Sequence, residues 1–181
     1  TKNGPVVAQP GDKATFVLQY GNRSRQAAGP TVIVDTLPAR DGGGAALKLV
    51  GVRVPDGHAA WFFAAPDDAA PPIPDPGNPA ASGWTAVPGA TMPTHVAVIV
   101  GAMPGNAGPF LAEVEMELRD PLNQADVPPG TVVTNCARIM MRDGVADADA
   151  GNDLDCATTA TPSVDIALSL DCTPNGGYPG T

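Results

Sequence analysis

At 181 residues the chain is long enough for one domain with a real hydrophobic core, so neither a metal nor a dense set of disulfides is needed for it to fold. Its 19 acidic against 10 basic side chains give a formal charge of −9, which opposes binding to nucleic-acid phosphates and anionic lipid surfaces and sets nucleic acid aside as a partner. Gly and Pro, at 21 each, approach the range of disordered chains, but apolar runs of strand length argue for a packed fold. With aromatics at 4%, its core is built from Val, Ile, Leu and Ala. There is no run of eighteen apolar residues and no basic, apolar leader, so a membrane span is not expected.

In chain order, residues 6–12 (VVAQPGD) read as a short strand ending in a Pro-Gly-Asp turn. Residues 14–20 (ATFVLQY) and 31–37 (TVIVDTL) alternate, so every second side chain faces one buried side of a sheet. Residues 46–54 (ALKLVGVRV) alternate again. From 55 to 92 Pro, Ala, Asp and Gly dominate. Prolines at this density remove the donors that a continuous ladder needs, which predicts a long Pro/Ala-rich loop insertion with one short strand at 60–64 and Trp84 pinning its return. Strands resume at 95–100, 110–119, 132–141 and 155–161. Leu111 is out of phase with Val114, Met116 and Leu118, which predicts a bulge near Ala112. No window offers a capped helix, and turn signals separate nearly every pair of strands. The predicted fold is all-β, an Ig-like Greek-key β-sandwich of about seven to nine strands.

The stretch PGDKATFVLQYGNRSRQAAGPTVIVDTLP at 10–38, with GTVVTNCARI at 130–139, resembles the tandem repeat of bacterial and archaeal surface proteins called domain of unknown function eleven. Those repeats read PGD, an alternating strand, then V-x-V-x-D-x-LP. The resemblance covers roughly residues 2–161 and departs in the inserted loop, which is longer here. It implies a structural module of a cell wall, filament or repeat array, with copies of itself as partners. Residues 1–162 are then the repeat domain, and 163–181 a C-terminal strand and tail. In SVDIALSL, residues Val164, Ile166, Leu168 and Leu170 share one face. The tail CTPNGGYPGT lines up with the opening TKNGPVVAQPGD, leaving the domain without a first strand at one end and with a surplus strand at the other. Three readings stay open: a window cut from a longer multi-repeat chain, a last strand folded onto its own domain, or a strand donated to the next subunit of a head-to-tail filament.

Cys136 and Cys156 lie on consecutive strands at similar distances from the loop between them, so a hairpin register can set them opposite each other. The family often carries a Cys pair at these two places, and a bridge there implies an oxidising, extracellular compartment. Cys172 is left for an intermolecular bond, a partner further along the chain, or a free thiol. Asp147, Asp149 and Asp153 offer hard oxygen ligands at a spacing that suits calcium, but no bidentate Glu stands at the proper distance and a solvated turn is the favoured reading. Asn22-Arg23-Ser24 is a glycosylation sequon on a turn, where Asn is also favoured on conformational grounds. Lys2, Lys13 and Lys48 raise the question of an intramolecular isopeptide bond of the kind some pilus domains carry, which their spacing does little to support.

Glu113, Glu115 and Glu117 share one strand face and read as its solvent side. His58 and His95 have no nucleophile and orienting carboxylate nearby in sequence, and no phosphate loop or His/Cys cluster occurs, so neither an enzyme nor a cofactor is expected. The leading expectation is a structural module of an extracellular filament, pilus-like fibre or repeat surface protein, assembling by strand complementation. The alternative is a secreted adhesin that presents Trp61, Phe62, Phe63 and Trp84 as an aromatic contact surface, although the same residues read equally as a plug that holds the insertion down or as a surface that touches the next subunit.

Overall fold

The computed structural model describes residues 1–38, 46–65, 70–89, 91–141, 151 and 153–163. These residues form an all-β sandwich of two antiparallel sheets. Its strands are β1 (Lys2–Asn3), β2 (Lys13–Asn22), β3 (Ala28–Thr36), β4 (Lys48–Arg53), β5 (Ala59–Phe63), β6 (His95–Met103), β7 (Ala107–Glu117), β8 (Val132–Met141) and β9 (Leu154–Ala160). One sheet has the order β1-β2-β7-β4, the other β5-β6-β3-β8-β9. The chain changes sheet between β2 and β3, β3 and β4, β4 and β5, β6 and β7, and β7 and β8. This is the interleaved connectivity of a Greek key.

The alternation read from the sequence decides what the sandwich buries. Ala14, Phe16, Leu18 and Tyr20 of β2 point inward beside Ala112, Val114 and Met116 of β7, and they meet Ile33, Val96, Val98, Val133, Ala137 and Ala157 of the facing sheet. Each large side chain so buried stabilises the fold by about 1.5–3 kcal/mol relative to leaving it in water. β3 is covered on both faces. Its Val32 and Val34 point away from the main core and, with Ala97 and Ile99, form a second cluster under Trp84. The inserted segment therefore roofs the outer face of the five-stranded sheet, which explains why TVIVDTL reads as a nearly continuous apolar run.

Two expectations are corrected here. The bulge near Ala112 is absent: β2 and β7 pair in unbroken register from Lys13↔Glu117 to Tyr20↔Phe110, and the register shifts only between Tyr20 and Asn22. Ala112 is the inward residue, and the larger Leu111 stands on the outer face, 55% exposed. At the N-terminal end, the strand expected at 6–12 is reduced to a bridge of Val7 to Ala160, and the opening strand that the alignment of the two ends leaves missing has a short counterpart in β1. Lys2 and Asn3 pair with Leu18 and Val17 of β2. The segment then crosses to the other sheet, where the Ala8 N–H donates to the carbonyl of Ala160 and the Ala160 N–H donates to that of Val6. Gly4 makes the crossing possible, since a Cβ there would stand 2.7 Å from Cδ1 of Phe16. Val164, Ile166, Leu168, Leu170 and Cys172 lie outside the described residues, as do Asp147 and Asp149.

Candidate functional site

The inward phase of these strands calls for apolar side chains, and at three places the chain puts a polar one there. Asp35 follows Thr31 and Ile33 on the inward side of β3; Asn135 falls between Val133 and Ala137 on that of β8; Lys2 comes from β1 on the opposite sheet. The register Asp35↔Ala137 sets Asn135 one diagonal step from Asp35 on the same face. Nζ of Lys2 donates to Oδ1 of Asp35 at 2.5 Å and lies 5.7 Å from the centroid of the Phe16 ring. The two charged side chains are 1% and 0% exposed, and Asn135 is 0% exposed.

Burial, opposed by Asp35 and by the more distant Asp155, pushes the Lys2 ammonium below the ordinary lysine range. Burial also pushes the Asp35 carboxyl up, against the pull of Lys2 and of a hydrogen-bonding influence from the Asn135 amide. Both groups move toward their neutral forms. The Asn135 carboxamide is close enough to act on Asp35, yet neither its Nδ2 nor its Oδ1, nor Oδ2 of Asp35, sits in bonding geometry with a partner among the described residues. An orphaned buried amide costs about 1–3 kcal/mol, and a buried ion pair also carries a desolvation penalty. Of the three, only Lys2 draws notice in the sequence, as one of three lysines. The signal for the others was there: a carboxylate and a carboxamide in the inward phase of TVIVDTL and VVTNCAR.

Beside β1 the sheets part into a cleft of about 1030 Å³ between β2 and the β8–β9 pair. Leu18, Tyr20, Ile33, Ala137, Ile139 and Leu154 line it, and Thr1 and Lys2 border it. β1 occupies the β2 edge at Val17 and Leu18, and Thr1 adds a backbone bond to Gln19.

Cys136 stands opposite Cys156 in the β8–β9 register, and the two are joined by a disulfide with Cα atoms 4.1 Å apart. The aromatic residues of the insertion are a correction. Trp84 is 1% exposed and donates its indole N–H to the Pro72 carbonyl at 2.9 Å, Phe62 belongs to the main core, and Trp61 and Phe63 pack half-buried against the second cluster. They hold the insertion onto the sheet instead of presenting a contact surface. The return of the insertion agrees: Thr85 forms an isolated bridge with Phe62 through both backbone bonds.

Asn22 clamps its own turn, in line with the conformational reading: its Nδ2 donates to the carbonyls of Gln26 at 2.7 Å and Pro104 at 3.1 Å while Oδ1 accepts from the Ser24 N–H at 3.0 Å. The amide that would carry a glycan is the clamp of its turn. Of the three acidic residues assigned to calcium only Asp153 is described, and no group of three His, Cys, Asp or Glu among the described residues could hold a metal. Lys13 and Lys48 sit on the outer face, paired with Glu115 and Glu117. His95 is buried with Nδ1 2.9 Å from the Thr94 hydroxyl. His58 Nδ1 lies 2.6 Å from the Tyr20 hydroxyl, with its ring edge-on to Phe110, and burial lowers the pKa of His58 and raises that of Tyr20. That contact, between residues distant in sequence, has no local signature.

No helix among the described residues is long and apolar enough to cross a membrane. No family model matches the chain, and no curated protein does. Among solved structures, one described as AvmM, which catalyzes macrocyclization in alchivemycin A biosynthesis, is 14% identical, covers 93% of this chain and 92% of its own, and superposes with a TM-score of 0.38. A likeness of that size carries no argument about what this chain does.

Proposed function

We propose that this chain is a structural module of an extracellular filament, pilus-like fibre or repeat surface protein, and that its copies join head to tail by strand complementation. The observation that carries this reading is the cleft between β2 and β8–β9, where Leu18, Tyr20, Ile33, Ala137, Ile139 and Leu154 offer an apolar lining alongside the polar Gln19, Asn22, Arg23, Asp153 and Asp155. An extended segment with one apolar face fits such a gap, because its backbone completes an open strand edge while alternate side chains fill the core. The sequence contains such a segment in SVDIALSL, whose Val164, Ile166, Leu168 and Leu170 are in phase. Supplied by a neighbouring copy, it would continue along the β2 edge past Gln19. The disulfide suits an oxidising compartment outside the cytoplasm. The adhesin reading has less support, since Phe62 and Trp84 are committed to internal packing.

Sedimentation velocity over a concentration series, on the chain and on the double variant Ile166→Asp/Leu168→Asp, tests this. The unaltered chain is expected to form polymers that grow with concentration, and the variant to stay monomeric. A monomer at every concentration for the unaltered chain contradicts the proposal.

A further inference from the structure

We infer that Lys2 and Asn135 become joined by an intramolecular amide bond, formed by the protein itself with Asp35 as its acid and base, so that β1 is covalently tied to β8 across the sandwich. Three facts of geometry lead there. The amine is buried at 1% side-chain exposure and held on Asp35. The carboxamide of Asn135, fully buried, neighbours the same carboxyl and has no hydrogen-bond partner in bonding geometry among the described residues. Finally, Oδ2 of Asp35 is equally unengaged, leaving one oxygen for the amine and one for the amide. A core that buries an amine, an acid and a carboxamide, and leaves the carboxamide and one carboxyl oxygen unsatisfied, is costly as it stands. Joining the amine to the carboxamide removes the charge and releases the small group that cannot be satisfied.

The chemistry balances without any other reactant. Neutral Lys2 Nζ, its lone pair free, attacks Cγ of Asn135 while protonated Asp35 donates to Oδ1 of the carboxamide and stabilises the developing oxyanion. Asp35, now a carboxylate, takes a proton from Nζ and delivers it to Nδ2, and the Cγ–Nδ2 bond breaks. Ammonia leaves as the Oδ1 hydroxyl returns its proton to Asp35 and the Cγ=Oδ1 bond re-forms, so a new Nζ–Cγ amide remains and Asp35 ends the cycle with the proton it began with. No electron is gained or lost. The environment favours the required protonation states, since burial moves the lysine down and the carboxyl up. The Phe16 ring below Nζ and the apolar residues of the core keep water from competing for the electrophile. Asp35 touches both reacting groups and is the catalytic residue.

Intact mass spectrometry on the reduced, denatured protein tests this. The expected mass is about 17 Da below that of the sequence, the mass of one ammonia lost in amide formation. Tryptic digestion should then yield residues 1–13, uncleaved after Lys2, joined to residues 120–138, with fragment ions placing the junction at Lys2 and Asn135. Lys2→Met, Asn135→Ala and Asp35→Asn should each restore the full mass. A protein of full mass, with free peptides ending at Lys2 and containing unmodified Asn135, overturns the inference. So does a loss of ammonia that fragmentation places at another residue. The decisive reading is made on the unaltered chain, so it stands even if a variant fails to fold.

Discussion

The two faces of the β2-containing sheet treat charge in opposite ways. Outside, Lys13, Lys48 and Arg53 meet Glu115, Glu117 and Glu113 at 2.6, 3.2 and 3.2 Å, and the hydrogen bond from Lys13 holds Glu115 below the usual carboxylate range. Inside, Lys2 and Asp35 make a pair of similar length with almost no access to water. In solvent, such pairs lose little when broken and gain little when made. In the core each partner depends on the other, because either one alone leaves an uncompensated group where nothing can solvate it. The exposed ladder keeps the outer face polar, whereas the buried cluster lies on a path that links the first strand to the opposite sheet.

The largest effect expected from breaking this contrast is at Asp35. Asp35→Ala should cost at least about 3–5 kcal/mol in urea-induced unfolding, the range for removing one partner of a buried pair, because it leaves the Lys2 amine uncompensated and also removes the acid and base that would join it to Asn135. A cost near zero would mean that the cluster is solvated and the contrast false. The disulfide offers a middle case, a covalent tie placed near the surface. Replacing both Cys136 and Cys156 by Ser should lower stability by about 3 kcal/mol, measured the same way against the oxidised parent.

A smaller effect is expected at His58. Its pKa is lowered by burial, so the folded state binds the proton less well than the unfolded chain does. Its contribution is therefore present above the ordinary imidazole value of 6.5 and is lost as pH falls through that value toward the lower folded one. Thermal melts of the parent should lose stability over that window, and His58→Gln should flatten the loss. The smallest effect belongs to the outer ladder: Arg53→Ala, whose side chain is 80% exposed, should change stability by no more than about 0.5 kcal/mol, and added salt should erase even that.

How far these features could be read from the sequence depended on whether the signal was local. Val132–Met141 appears as a strand with the bounds read from its alternation, and Trp84 fastens the inserted segment as expected, because a lone large aromatic in a proline-rich stretch has few other uses. At residues 110–119 size and phase point to different residues: Leu111 is the larger side chain, and the ladder turns Ala112 inward instead. The aromatic run at 61–63 looked like a contact surface because sequence alone does not show what covers it. Lys2 was obscure for another reason. A two-residue strand has no period, and its burial comes from β2 on one side and β9 on the other, joined at Gly4. Asp35 and Asn135 could have been picked out individually by phase, but their meeting with Lys2 depends on pairing across both sheets, which no local pattern encodes.

Mechanical unfolding of single reduced molecules, held at the N-terminus and beyond Ser163, tests most directly whether the buried cluster locks this module against tension. With Lys2 joined to Asn135, force passes from β1 straight into β8, and the account predicts that only residues after Asn135 add to the released length while β2 to β7 stay shielded. Release of the whole chain, including the segment between Lys2 and Asn135, would contradict it.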